Sequence, residues 1–218
     1  MSYLSRVEID YKKPSSLRDL KSVGAFHNWV EQSFPDEWEN HERSRKLWRV
    51  DVLHGKYYLL IVSDSKPDLQ RLEMYGVSGT ASSKAYDKFL GSLINGMRMQ
   101  FRVTLNPVVA ISDTAETRTT RGRVVPHVTY DQQMNFLLNR AQKLGFSLNE
   151  NEFAIVERGY SLFTKSEKPI RLSKAVYQGI LTINDADTMR KTLLEGIGKK
   201  KAYGFGMMTV IPLCNLNK

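Results

Sequence analysis

Cysteine is almost missing from this chain: Cys214 is the only one in 218 residues. That rules out an intramolecular disulfide and any zinc site built on several thiolates. Long apolar runs are missing too. No stretch approaches the roughly 18 to 20 consecutive apolar residues a membrane helix needs, and the N-terminus has no long apolar signal segment. These absences argue against membrane insertion and secretion and set the expectation of a protein working in a reducing cytoplasm. There is no H-E-x-x-H, no paired Cys/His spacing and no acidic pair in a magnesium-like context, so no metal is expected. The G-x-S-x-G elbow of serine hydrolases is absent as well.

What is present is positive charge. With 41% hydrophobic and 25% charged residues the chain can bury one large core or two smaller ones, and its formal net charge is +9. The excess is uneven: residues up to Asn95 carry 14 basic and 13 acidic side chains, the remainder 18 and 10. A charge serving only solubility would be spread along the chain, so a polyanion, and a nucleic acid in particular, is the expected partner of the C-terminal half. An anionic membrane fits less well, because no basic amphipathic helix is apparent.

Hydrophobic periodicity predicts a strand over Tyr3 to Ile9. A helix is expected over about 16 to 34, with Ser16 and Asp19 as a capping-box-like start and Pro35 as its end. Trp48, Val50 and Val52 alternate with polar residues, His54-Gly55 marks a turn and Tyr57 to Val62 is apolar, which together read as a hairpin. A short helix from Pro67 to about Tyr75 follows, then a Gly/Ser-rich loop and a strand over Ala85 to Leu93. After the turn at Asn95-Gly96, Met97, Met99, Phe101, Val103 and Leu105 alternate with polar residues, the cleanest strand in the chain. A long connection over 107 to 130 leads to a helix capped by Thr129 and Gln132 and stopped at Gly145. Strands over Phe153 to Phe163 and Ile170 to Ile183, a helix from Asp185 to near Gly196 and a strand over Phe205 to Leu213 complete it. The order β-α-β-β-α-β occurs twice. The expected fold is therefore α+β, two tandem ferredoxin-like modules of the kind shared with RNA-recognition domains, over residues 1–94 and 97–218.

Among four histidines, at 27, 41, 54 and 127, His27 stands out because it falls in the apolar stripe of Leu20, Val23, Val30 and Phe34 on the first helix. It reads either as a hydrogen-bonded core residue or, where that stripe opens on a cleft between modules, as an imidazole tuned for proton transfer. The string G-I-G-K-K-K-A-Y-G-F-G follows a helix and precedes a strand, the reverse of dinucleotide and P-loop fingerprints, so no nucleotide cofactor is expected. Its glycines, Gly198 and Gly204 among them, would let the backbone approach a phosphodiester that Lys199, Lys200 and Lys201 neutralise, unless it is simply a flexible basic turn. Arg118, Arg121 and Arg123 in the long connection are candidates for entering an RNA hairpin groove, with a solvated loop as the alternative. Lys165, Lys168, Arg171 and Lys174 form another basic segment, and Arg102 lies on the polar side of the cleanest strand; these are further candidates for RNA contact.

Five segments carry a resemblance that runs nearly end to end: the opening Y-L-S-R-V, the His-bearing first helix, F-R-V-T-L-N-P at 101 to 107, G-I-L-T-I-N-D-A at 179 to 186, and G-I-G-K-K-K-A-Y-G-F-G-M-M. In these the chain resembles the CRISPR repeat-processing endoribonucleases of type I-E systems, often called CasE, a subunit of the Cascade complex. The resemblance implies a metal-independent endoribonuclease that binds the stem-loop of the CRISPR repeat in pre-crRNA, cuts at the base of the stem, keeps the crRNA and sits among other Cascade subunits, with no cofactor and no membrane. The family's first-helix histidine maps onto His27; where several relatives carry a tyrosine three residues earlier, this chain has Gly24. Chemistry of this kind needs no metal-bound water, because RNA supplies its own 2′-hydroxyl nucleophile and leaves a 2′,3′-cyclic phosphate and a 5′-hydroxyl. His27 is then expected to act as acid or base, with Lys168, or alternatively Arg171, as the cation beside the charged phosphorane. Two further readings are a non-catalytic RNA-hairpin-binding subunit of a ribonucleoprotein complex, and a ribosome-associated or DNA-binding protein of the same fold.

Overall fold

The structure, a computed structural model, describes residues 1–111, 123–165 and 168–213. The first half runs β1 (Tyr3–Glu8), α1 (Pro14–Asp19), α2 (Val23–Gln32), α3 (Pro35–Glu39), β2 (Lys46–Leu53), β3 (Lys56–Ser63), α4 (Leu69–Leu72) with a 3-10 turn after it, β4 (Ser82–Ala85) and α5 (Asp87–Gly91). The second runs β5 (Arg98–Leu105), β6 (Val108–Ile111), β7 (Arg123–Pro126), α6 (Tyr130–Ala141), β8 (Phe146–Lys165), β9 (Lys168–Ile183), α7 (Ala186–Glu195) and β10 (Met208–Pro212). This is an α+β chain whose sheets are antiparallel throughout. One sheet has the order β2-β3-β1-β4 and the other β10-β5-β9-β8. Leaving aside the β6–β7 ribbon, both place their first and third strands in the middle. Among the described residues no helix is long and apolar enough to cross a membrane.

Over Leu59 to Val62 the first sheet is covered on both faces, which is why β3 reads as a continuous apolar run there. Cross-strand rows Trp48–Ile61 and Val50–Leu59–Val7 face α2 and its Phe26, Trp29 and Val30. The alternate row Leu47–Val62–Leu4 joins the core of the second sheet, with Met99, Phe101 and Val103 of β5, Phe136 and Leu137 of α6, and Met189 and Leu193 of α7.

Four sequence expectations change. The helix expected over 16 to 34 breaks after Asp19: Ser22, not Ser16, caps the helix that carries His27, accepting from the Ala25 amide, and Pro35 opens α3 at a position where its missing N–H costs nothing. Residues 87 to 91 form a helix rather than a strand. Tyr86, Leu90 and Leu93 are buried at helical spacing, while the strand is the more polar Ser82–Ala85 paired to β1. The long connection holds the two-stranded ribbon of β6 and β7. Finally, β8 begins at Phe146 instead of 153, because a register irregularity between Leu148 and Phe153 absorbs the polar run Asn149 to Glu152.

Candidate active site

Helix α2 buries Phe26, Trp29, Val30 and Glu31, and His27 lies at the margin of that face with 27% of its side chain exposed. Its imidazole opens on a cleft of about 780 Å³ whose walls come from three places: His27 and Glu31 of α2; Arg43, Ser44 and Arg45 leading into Lys46 at the start of β2, with Asp64 after β3; and Leu194 and Glu195 at the end of α7 with Lys201 and Ala202 beyond it. The cleft lies between the two halves of the chain, but the expected stripe is not continuous on one helix: Leu20 precedes α2 and Phe34 follows it, which leaves His27 at the margin of the buried face rather than at its centre.

The charges around the ring are organised. His27 Nδ1 lies 3.9 Å from Glu31 Oε1, one helical turn on, while Glu31 Oε2 is 3.4 Å from Arg43 Nε and 3.7 Å from Lys46 Nζ. Lys46 is buried; its ammonium donates to Glu37 Oε2 at 2.6 Å and stands 4.9 Å from the centre of the Phe34 ring. Burial alone would raise the Glu37 carboxyl, but hydrogen bonds from Lys46, Ser44 and Ser65 outweigh it and bring it to about 2. His27 is pushed below the ordinary histidine range, first by burial and further by Arg43 and Lys46, with Glu31 pulling the other way. Lys201, whose Nζ donates to the Glu195 carbonyl at 2.7 Å, is likewise lowered, by burial and then by Arg45.

The glycine-rich loop is fixed to the first sheet rather than hanging free. Trp48 Nε1 donates to the Ala202 carbonyl at 3.0 Å, and a Cβ on Gly204, where φ is +80°, would lie 2.8 Å from the Trp48 ring. Gly204 is therefore a packing glycine. Gly198, with φ +77°, has open space where its side chain would be, and Lys199 and Lys200 beside it are exposed. Tyr203 meets the His27 ring edge-on with centroids 5.8 Å apart and packs on Phe163 at 4.3 Å. The Phe163 ring approaches Gly24 so closely that a Cβ there would lie 3.4 Å from it, in ordinary contact, which shows the β8–β9 hairpin resting on α2.

A family model described as "CRISPR associated protein" matches residues 2–212. The chain belongs to that family. Among similar proteins, the CRISPR-associated endoribonuclease Cse3 of Thermus thermophilus is 24% identical over 223 residues, covering 96% of this chain and 100% of the relative. The CRISPR system Cascade subunit CasE of Escherichia coli is 26% identical over 122 residues, 54% of this chain and 60% of that one. A solved structure of Thermus thermophilus Cse3 bound to an RNA representing a pre-cleavage complex superposes with a TM-score of 0.79 at 23% identity, covering 97% of this chain and 99% of that one. Cas6e from Escherichia coli gives 0.67 at 22%, covering 97% and 100%. At such identities what is shared with the solved structures is the fold.

Within this CRISPR-associated chain the other expected residues scatter. Lys165 and Lys168 pair in register at the tip of the β8–β9 ribbon, two residues beyond Phe163. Arg171 pairs with Leu162 and is exposed; the pleat turns it to the ribbon face opposite Phe163 and Ile170, so it is not gathered to the imidazole. Lys174 is held by Glu157 at 2.6 Å. Arg102 donates to Gln178 and lies 3.4 Å from Asp51 in a bridge between the sheets, an occupation the sequence did not announce. Arg123 is exposed at the start of β7; Arg118 and Arg121, like Cys214, lie outside the described residues. His54, with φ +51°, shapes the β2–β3 turn with Gly55. Sequence reasoning missed Glu31 and the basic run Arg43, Arg45, Lys46. The i, i+4 spacing of His27 and Glu31 was the available signal.

Proposed function

We propose that this protein is an endoribonuclease that binds the stem-loop of a CRISPR repeat and cleaves precursor crRNA without a metal ion, through attack of the RNA's own 2′-hydroxyl. The observation that carries the reading is the partly exposed His27 imidazole in a cleft walled by Arg43, Arg45, Lys46 and Lys201. Family membership supports it, as does the similarity to a Thermus thermophilus protein named as an endoribonuclease.

A neutral imidazole is the resting form of a histidine lowered in this way, which suits a general base. His27 takes the 2′-hydroxyl proton, the 2′-oxygen bonds to the adjacent phosphorus and the bond to the 5′-oxygen breaks, giving a 2′,3′-cyclic phosphate. The departing 5′-oxygen collects a proton within the cleft, where Lys201 is the ammonium that burial and Arg45 make the readier donor. Lys168, at the ribbon tip, is the cation we assign to the phosphorane charge, while Arg123, Lys165, Arg171, Lys174, Lys199 and Lys200 hold the RNA backbone. The repeated strand order supports two ferredoxin-like modules, 1–94 and 97–218, closing around this cleft. The similarity to a named Cascade subunit supports partnership with other Cascade proteins and a place in the cytoplasm beside their RNA.

Purified protein incubated in EDTA with a repeat stem-loop should cut the all-ribose strand and leave intact one carrying a single 2′-deoxy nucleotide upstream of the cut. His27→Ala should slow cutting by about 10²- to 10⁴-fold with binding retained. Cutting of the 2′-deoxy strand would sink the proposed nucleophile, unchanged cutting by His27→Ala would remove the histidine, and tight binding without cutting by the unaltered protein would leave only a hairpin holder.

A further inference from the structure

The pairing of His27 with Glu31 rests on the reading of the cleft just given, and goes beyond it. We infer that Glu31 is a positioning residue for His27: its carboxylate, gripped from behind by Arg43 and Lys46, holds the Nδ1 edge of the imidazole and leaves Nε2 for the substrate.

Three observations carry this. The two residues share one face of α2 a single turn apart, and Nδ1 stands 3.9 Å from Oε1, within ion-pair range once the ring is protonated. The Glu31 side chain is only 11% exposed, so the carboxylate acts through a poorly solvated path. Its other oxygen is the one the cations hold, Arg43 Nε at 3.4 Å and Lys46 Nζ at 3.7 Å, which fixes the carboxylate plane and keeps Oε1 for the ring. Lys46 lies nearer to Glu37, at 2.6 Å, so it does not fully neutralise Glu31.

The rest of the surroundings show why the ring needs this partner. Arg43, Arg45, Lys46 and Lys201 line the cleft with Asp64 and Glu195, and Tyr203 lies edge-on to the imidazole. Among these charged groups Glu31 is the anion paired with the ring. When His27 takes a proton, the imidazolium forms beside several cations, and Glu31 offsets their repulsion while fixing which nitrogen carries the resting proton. A carboxylate that orients a histidine through one ring nitrogen is a recurring solution to that problem.

The test uses the full-length chain. In the RNA-free protein, NMR titration of the His27 ring should show its midpoint falling by about 0.5 to 1 pH unit in Glu31→Gln, since the nearest stabilising charge is gone. With repeat stem-loop RNA, Glu31→Gln should cut about tenfold more slowly near neutral pH, with affinity within about twofold, and the rising limb of the pH–rate profile should move by the same amount as the titration. Glu31→Asp, which keeps the charge but draws it back, should fall between the two and covers the case in which the glutamine variant does not fold. A shifted titration in a protein that never cuts RNA keeps Glu31 as the partner of the ring and rejects the nuclease reading. A titration and rate both unchanged in a folded variant overturn the inference.

Discussion

In the first sheet the edge strand β2 is covered along most of its length, while in the second sheet the strand in the same topological position, β8, is an edge that faces solvent from Glu157 to Tyr160. Leu47, Trp48 and Arg49 of β2 all dock on the second half of the chain: Leu47 lies under Gly196, Trp48 binds Ala202, and Arg49 donates to the Arg102 and Met207 carbonyls while chelated by Asp51. By contrast β8, with β9, grows into a long ribbon whose Val156, Tyr160 and Leu162 are exposed and whose Phe163 reaches α2. One strand order thus serves two ends. The first repeat uses its edge to fix the halves together, and the second extends its edge toward the cleft. The irregularity near Glu157, with Glu157 and Arg158 along the strand, blunts an edge that would otherwise invite pairing with another chain.

The sharpest way to break this contrast is to cut one ion pair on each edge. Asp51→Ala strands the buried Arg49 guanidinium and should lower unfolding free energy by about 3 kcal/mol or more in urea titration, whereas Glu157→Ala removes a more exposed partner of Lys174 and should cost at most about 1 kcal/mol. Equal losses would mean that the β2 junction is no firmer than an ordinary surface contact. The two loop glycines sharpen the same point. Gly204→Ala meets both a left-handed backbone and the Trp48 ring and should cost more than about 2 kcal/mol, while Gly198→Ala meets only the backbone strain, about 1 to 2 kcal/mol. The smallest effect concerns charge. Alanine at both Lys199 and Lys200 should flatten the dependence of log affinity for hairpin RNA on log salt by about 1 to 2, and alanine at Lys12 and Lys21, exposed in the first half, should leave it unchanged.

Much of this was legible where local rules act alone. The alternation of β5 appears as four buried side chains, Met99, Phe101, Val103 and Leu105, and the Thr129–Gln132 capping box and the left-handed Gly145 bound α6 and its trailing turn as the residue types demand. Residues 87 to 91 were misread because a short apolar run fits either period, and only its burial against the second core decides for helix. The site was half legible. His27 stood out by its place on an apolar stripe, but three of the cations that line its cleft, Arg43, Arg45 and Lys46, come from a half of the chain whose net charge is near neutral, with Glu37, Glu39 and Glu42 beside them. A sum over a hundred residues hides a cluster of three. Nor does sequence distinguish Gly198 from Gly204, one in open space and the other against an indole, because the indole arrives from 156 residues away.

That indole also sets where the molecule can be divided. Severing the backbone at Asn95-Gly96 would leave the histidine on one fragment and Lys201 on the other, with the tryptophan clasp and the arginine bridge as the means of rejoining them. On the nuclease reading proposed above, two such pieces would make a complementation pair whose reassembly is read out by recovered cutting of hairpin RNA.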